Sequence, residues 1–262
     1  MLNEHVYDEI KAMAIQWPIW FMLATQDIKL RYTRSSIGPI WATIRTAITI
    51  YTTGFLYGHL FKTNLNEYLP YIASGIIGWG FINTLIVESS SIYIESARYI
   101  KNQEVFLSVF MVRLVVRNLI VLFHNLIAFI PILLFFNVDV GWNTLMLLPN
   151  LIMISLNGIF WGTLLALIGA RFRDFSQIMS SLLQIIFFIT PVIWMPRFLS
   201  EQYQWVLHYN FLNYFLMLLR NPLMNLPVSG SDFLIQLLIL AVGFVLYLLC
   251  IKRYKYNVVF WL

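Results

Sequence analysis

Long apolar runs separated by short polar stretches leave this chain one solvent in which to fold. Six segments, at about 37–61, 69–94, 114–136, 144–170, 177–195 and 233–251, are each apolar enough for a helix across the roughly 30 Å hydrocarbon core of a bilayer. Hydrophobic residues make up 60% of the 262 and charged residues 11%, against about 25% charged in soluble domains. A water-facing globule could not hide that much apolar surface. The expected fold is an all-α integral membrane protein. Residues 37–262 form a six-helix transmembrane domain, with short re-entrant or interfacial helices before the last span. Residues 1–36 form a cytoplasmic amphipathic and basic segment ahead of it.

The distribution of Lys and Arg sets the expected orientation. One side holds Lys11, Lys29, Arg31, Arg34, Arg45, Arg98, Lys101, Arg113, Arg117, Arg171, Arg173, Lys252, Arg253 and Lys255, with Arg45 reaching it by snorkelling. The other holds only Lys62, Arg197 and Arg220. Both termini are therefore expected in the cytoplasm. Treating Tyr203–Leu219 as a seventh span would reverse the last basic cluster, so that run is read as interfacial or re-entrant helix. Ahead of the first span, Ile10, Met13, Ala14, Trp17 and Phe21 recur at helical spacing. They predict an amphipathic helix on the cytoplasmic leaflet, interrupted at Trp17-Pro18.

Several function classes lack their residues. The start of the chain carries Glu4, Asp8 and Glu9 against Lys11, unlike a cationic signal sequence. Cys250 is the lone cysteine, so no disulfide framework or thiol–metal site is available. No phosphate-binding G-x-x-x-x-G-K-[ST] loop, H-E-x-x-H pair or G-x-S-x-G elbow occurs, and His5, His59, His124 and His208 lie on separate segments. The chain reads as neither an enzyme nor an ATP-binding protein, with no cofactor or metal of its own. The placement of its positive charge also argues against nucleic acid.

Five features remain, each with an ordinary and a functional reading. The basic run Lys29, Arg31 and Arg34 is either a positive-inside anchor or a site for an anionic lipid head group. The loop Glu95–Phe110 places Glu95, Arg98, Lys101 and Glu104 around Tyr99, either as a plain charged connection or as a helix that docks on a partner. Arg171, Arg173 and Asp174 make a tight turn with the same two readings. Phe198, Tyr203, Trp205, Tyr209 and Phe211 form an interfacial aromatic belt or faces over which sugars slide. Glu88 lies deep in the second span and either pairs with Arg45, bonds to neighbouring polar groups, or titrates along a proton path. Asn118, His124, Asn125 and Asn157 are expected to bond between helices.

The motifs D-I-K-L-R-Y-T-R-S-S-I-G-P-I-W at 27–41, E-S-x-x-Y-I-K at 95–101, A-R-F-R-D at 170–174 and S-L-L-Q-I-I-F-F-I-T-P-V-I-W at 181–194, in this order, resemble the ABC-2 type permeases. More narrowly, they resemble the membrane subunits of O-antigen and related polysaccharide exporters. The resemblance covers nearly the whole chain. It implies a bacterial inner-membrane half-transporter that pairs with a second copy of itself and with two copies of a separate ATP-binding subunit. It implies that Glu95–Phe110 carries the coupling helix and that Arg171–Asp174 lies near the ATPase. It further implies that the basic segment flanks the entrance for a polyprenyl-diphosphate-linked glycan. Capsule or teichoic-acid export is the alternative within the family, and an ion channel or proton-coupled carrier the alternative outside it. One departure is Gln103-Glu104, where these permeases often have a proline-bearing turn.

Overall fold

The computed structural model describes residues 2–33, 37–38, 40–102, 106–136 and 138–262. Those residues form helices joined by short turns, with no strand among them. The expected amphipathic segment is two helices, α1 (Leu2–Ile15) and α2 (Trp17–Tyr32), broken at Gln16. Pro18 falls in the first turn of α2, where a missing N–H costs nothing. Of the anticipated apolar face only Met13 is half-buried, while Ile10, Ala14, Trp17 and Phe21 are exposed; the buried apolar residues of these helices are Ala12 and Ala24 instead.

Next come α3 (Ile40–Leu60), α4 (Leu65–Glu95), α5 (Ala97–Asn102) and α6 (Leu107–Ile127). The Asn64 side chain caps α4 by accepting from Asn66 N–H at 3.0 Å. At 31 residues α4 is about 46 Å long, well beyond the hydrocarbon core. Helix α6 starts seven residues before the expected span at 114. It breaks at Ala128 ahead of α7 (Ile130–Phe135), whose Pro131 cannot donate back to Ile127. The chain continues through α8 (Trp142–Leu145), α9 (Leu147–Arg171) and α10 (Phe175–Ile189).

Helix α10 stops before the expected 195 because Pro191 follows Thr190, which takes an extended conformation (φ −81°, ψ 136°). Two 3-10 turns then lead to α11 (Trp205–Tyr209), α12 (Phe211–Leu223), α13 (Gly230–Tyr254) and α14 (Val258–Trp261). The short helices expected before the last span are thus present. However, α12 inserts into the core with Leu212, Leu216, Leu218 and Leu219 buried rather than lying flat on a surface.

Among the described residues, four segments are long and apolar enough to cross a membrane: Leu65–Asn102, Leu107–Phe135, Trp142–Arg171 and Gly230–Tyr254. The two other expected spans differ for separate reasons. Helix α3 has the length, at 21 residues, but five threonines, Arg45 and His59 dilute its apolar character. Helix α10 has the composition but only 15 residues, about 22 Å.

The most extensive interface joins α4 and α9. Apolar side chains gain little by leaving lipid for one another, so close backbone approach between small residues does much of the packing. Gly158, Gly162, Ala166 and Gly169 give α9 a narrow face against α4. At Gly169 a Cβ would lie 1.8 Å from the Ser90 carbonyl oxygen.

Candidate functional site

Charged groups collect at one end of the bundle, where α4 and α9 finish and α6 begins. The α2 residue Asp27 accepts from both guanidiniums of α6. Arg113 Nε donates to Oδ2 at 2.8 Å and Arg117 Nη1 to the same oxygen at 3.0 Å. Arg117 Nη2 continues to Glu88 Oε2 on α4 at 2.6 Å, and Asn118 Nδ2 donates to that oxygen at 3.0 Å. Arg31 Nη2 closes the chain on Glu88 Oε1 at 3.0 Å. Three helices are therefore held together by three cations and two anions. Arg117 is the buried centre, with a side chain only 7% exposed, while that of Arg31 is 47% exposed.

This arrangement corrects one expectation and refines another. Glu88 is paired with Arg31 and Arg117 instead of Arg45, and it sits seven residues before the end of an over-long α4. Its partners make it a structural tie between α2, α4 and α6. Sequence reading counted Arg113 and Arg117 only as orientation charges. Their spacing of four places both on one face of α6, and Asp27 already stood in the basic motif; that was the available signal.

Lys29 and Arg31 lie on the last turn of α2, both exposed. Arg34 and Glu104 lie outside the described residues. The Glu95–Phe110 segment resolves into the end of α4, the separate α5 and the first turn of α6. Ile100 is the buried anchor of α5, and Arg98, Tyr99 and Lys101 face outward. The Glu95 carboxylate accepts from Ser91 Oγ at 2.6 Å. Arg171, Arg173 and Asp174 are exposed at the α9–α10 turn. Arg171 lies 5.5 Å over the ring of Trp261, and α14 packs on both α5 and α9. Helix α14 thus brings α5 and the Arg171 turn into one surface, a link not visible in the sequence.

At the opposite end the aromatic set divides. Phe198 packs 5.2 Å from Phe61, which also meets Tyr57 and Tyr68. Trp205 pairs with Tyr209 at 6.3 Å, and Tyr203 is half exposed. Phe211 instead borders an apolar cavity of about 400 Å³ between α4, α9, α10, α12 and α13. The five aromatics do not form one continuous lining. Of the four residues expected to bond between helices, Asn118 does so through Glu88, and Asn125 Oδ1 accepts from Thr46 at 3.0 Å. His124 and Asn157 bond to carbonyls of their own helices.

Beneath the aromatics lies a residue that sequence reading passed over. Arg220 is 2% exposed and reaches the turn after α10, where Nη2 donates to Val192 O at 3.3 Å. Tyr68 Oη donates to Ile193 O at 2.6 Å, so α4 and α12 together satisfy carbonyls that a broken helix would otherwise leave bare. The available hint was an arginine within the apolar run Phe215–Leu223.

The chain is similar along most of its length to known transport proteins. Residues 19–224 match the family described as ABC-2 type transporter. A relative from Klebsiella pneumoniae, named O-antigen export system permease protein RfbA, is 19% identical over 209 residues, covering 78% of this chain and 79% of its own. A protein of the same name from Myxococcus xanthus is 25% identical over 176 residues, 66% of each chain. The match spans α2, the ion network, α5 and the turn after α10, and so the chain belongs to the ABC-2 type transporter family.

Proposed function

We propose that this protein is the membrane subunit of an exporter of lipid-linked polysaccharide, of the O-antigen type, in the bacterial inner membrane. Two copies pair with two copies of a separate ATPase. Six segments cross the bilayer: the four long apolar ones, α3, and α10 with the turn that follows it. Both termini face the cytoplasm.

One observation carries this reading. At the basic end, α5 is anchored by Ile100 while presenting Arg98, Tyr99 and Lys101 beside the Arg171 turn. That is a short exposed helix set where a soluble partner can push it, and the ion network connects its neighbours α4 and α6 to α2. Lys29 and Arg31 on α2 face outward and supply donors for the diphosphate of a polyprenyl-linked glycan. Arg34 belongs to the same proposed group. Closure of the ATPase moves α5. The motion shifts α3 and α10 and opens a path past the aromatic residues Phe198, Tyr203, Trp205, Tyr209 and Phe211. The carrier alternative needed Glu88 as a free acid, whereas two guanidiniums and an amide occupy it.

Native mass spectrometry of the protein purified from its host in mild detergent tests the proposal. The expected result is an ATPase in equal copy number with a glycosylated polyprenyl lipid. A stable permease without an ATPase across several detergents would overturn it.

A further inference from the structure

Glu9, in α1, lies 98 residues before Leu107, yet its side chain is fully buried at the start of α6. The N-cap residue is Phe106, whose side chain carries no acceptor. The Glu9 carboxylate takes that role from α1, accepting from Leu107 N–H at 3.3 Å and Ser108 N–H at 3.0 Å. The Ser108 hydroxyl lies 2.6 Å from the same carboxylate and 2.8 Å from the Glu9 carbonyl. Lys255, just beyond α13, completes the set. Its Nζ is 2.9 Å from Glu9 Oε1 and 4.8 Å from the centre of the Phe106 ring.

A carboxylate this deeply buried persists only when paired and hydrogen-bonded, and an anion at a helix N-terminus also meets the positive end of the helix dipole. Each partner here meets one of those needs. The result clasps α1, α6 and the end of α13 at the residue where the 95–110 segment becomes a long helix. The segment after Lys255 extends the clasp, with Val258 buried and Trp261 against Arg171.

We infer that Glu9 and Lys255 are positioning residues for transport: they make α1, α6 and α13 move as one body when α5 is displaced. Without them α1, α6 and the end of α13 no longer move together, and the displacement reaches α2 and its basic residues only through α4 and the Glu88–Arg31 pair. This rests on the proposed function, in which α5 receives the push of the ATPase.

The test compares Glu9→Ala, Glu9→Gln and Lys255→Met with wild type in the full complex. Amide exchange at Leu107 and Ser108 reports the clasp. Surface polysaccharide in the host and ATP hydrolysis by the purified complex report coupling. Loss of an N-cap corresponds to roughly 2- to 30-fold faster exchange at those amides in Glu9→Ala. The same variant is expected to retain ATP hydrolysis while export falls several-fold. Glu9→Gln, which keeps an acceptor oxygen, recovers part of both.

Unchanged exchange, or unchanged export per ATP despite faster exchange, overturns the inference. If Glu9→Ala does not accumulate, Lys255→Met decides, because it leaves the backbone bonds in place and removes only the tie to α13. Unchanged export per ATP in that variant is then the negative result. A wild-type protein that binds no ATPase rejects the proposed function instead, and exchange at Leu107 and Ser108 still tests the clasp.

Discussion

The guanidinium of Arg220 lies 3.9 Å over the ring of Tyr71 and donates from Nη1 to its hydroxyl at 2.9 Å. The hydroxyl in turn lies 2.9 Å from Pro191 O and 3.1 Å from Trp194 O. Gly75 makes the approach possible, since a Cβ there would be 2.3 Å from Arg220 Nη2. Among the described residues no carboxylate pairs with this buried cation; its bonds are to the Tyr71 phenol and to the Val192 carbonyl in the turn after α10. The two hydrogen bonds and the Tyr71 ring face offset part of its desolvation.

Tyr71→Phe removes the group that Arg220 and the turn share while keeping the ring. Each buried polar partner left unmet costs about 1–3 kcal/mol, more when charged. The variant is expected to lose about 3 kcal/mol in detergent-titrated unfolding. A loss below about 1 kcal/mol would show that the turn does not depend on this bond.

Arg117 and Arg31 both pair with Glu88, but their surroundings differ. Arg117→Ala leaves Asp27 with Arg113 alone and Glu88 with only Arg31 and Asn118 in a mostly buried network, and is expected to cost about 3 kcal/mol or more. Arg31→Ala removes an exposed partner and is expected to cost about 0–1 kcal/mol. Equal losses in chemical unfolding would contradict the assignment of Arg117 as the network centre. Export is expected to fall in the Arg31 variant even though the ATPase complex still assembles, and unchanged surface polysaccharide would sink the lipid-head role.

Two glycines give opposite expectations. A Cβ at Gly169 meets backbone 1.8 Å away and forces α9 from α4, an overpacking expected to cost about 3 kcal/mol or more. Gly80 is exposed within α4 with nothing within 4 Å of an added Cβ, so Gly80→Ala is expected to stabilise by about 0.5–1 kcal/mol. Thermal unfolding of the two purified variants checks both signs.

The proposed six crossings with cytoplasmic termini would put the α3–α4 turn outside. In a background with Cys250 replaced by Ser, Lys62→Cys is expected to react with a membrane-impermeant maleimide in intact cells. Arg253→Cys should react only after permeabilisation. Labelling of both variants in intact cells would require an odd number of crossings, and labelling of Arg253→Cys alone would invert the orientation.

The sequence alone determined the solvent, the helical class and the sites of the main breaks. Runs of apolar residues, Pro191 and Pro131 act within their own segments, and helical geometry makes their effects local. It also marked α5, because a charged stretch carrying one buried Ile100 between two apolar runs is a local pattern. It placed the end of the helix at 195, beyond the point where Thr190 and Pro191 end α10.

Only the tertiary structure decided which polar groups meet. Glu9 finds Leu107 across 98 residues, Asp27 finds Arg113 across 86, and Arg220 finds Tyr71 across 149. In a membrane the apolar surface of one helix suits lipid as well as it suits another helix, so hydropathy does not specify neighbours. Partner choice rests on a few buried charges, hydroxyls and glycines. Their matches exist only once the helices are side by side.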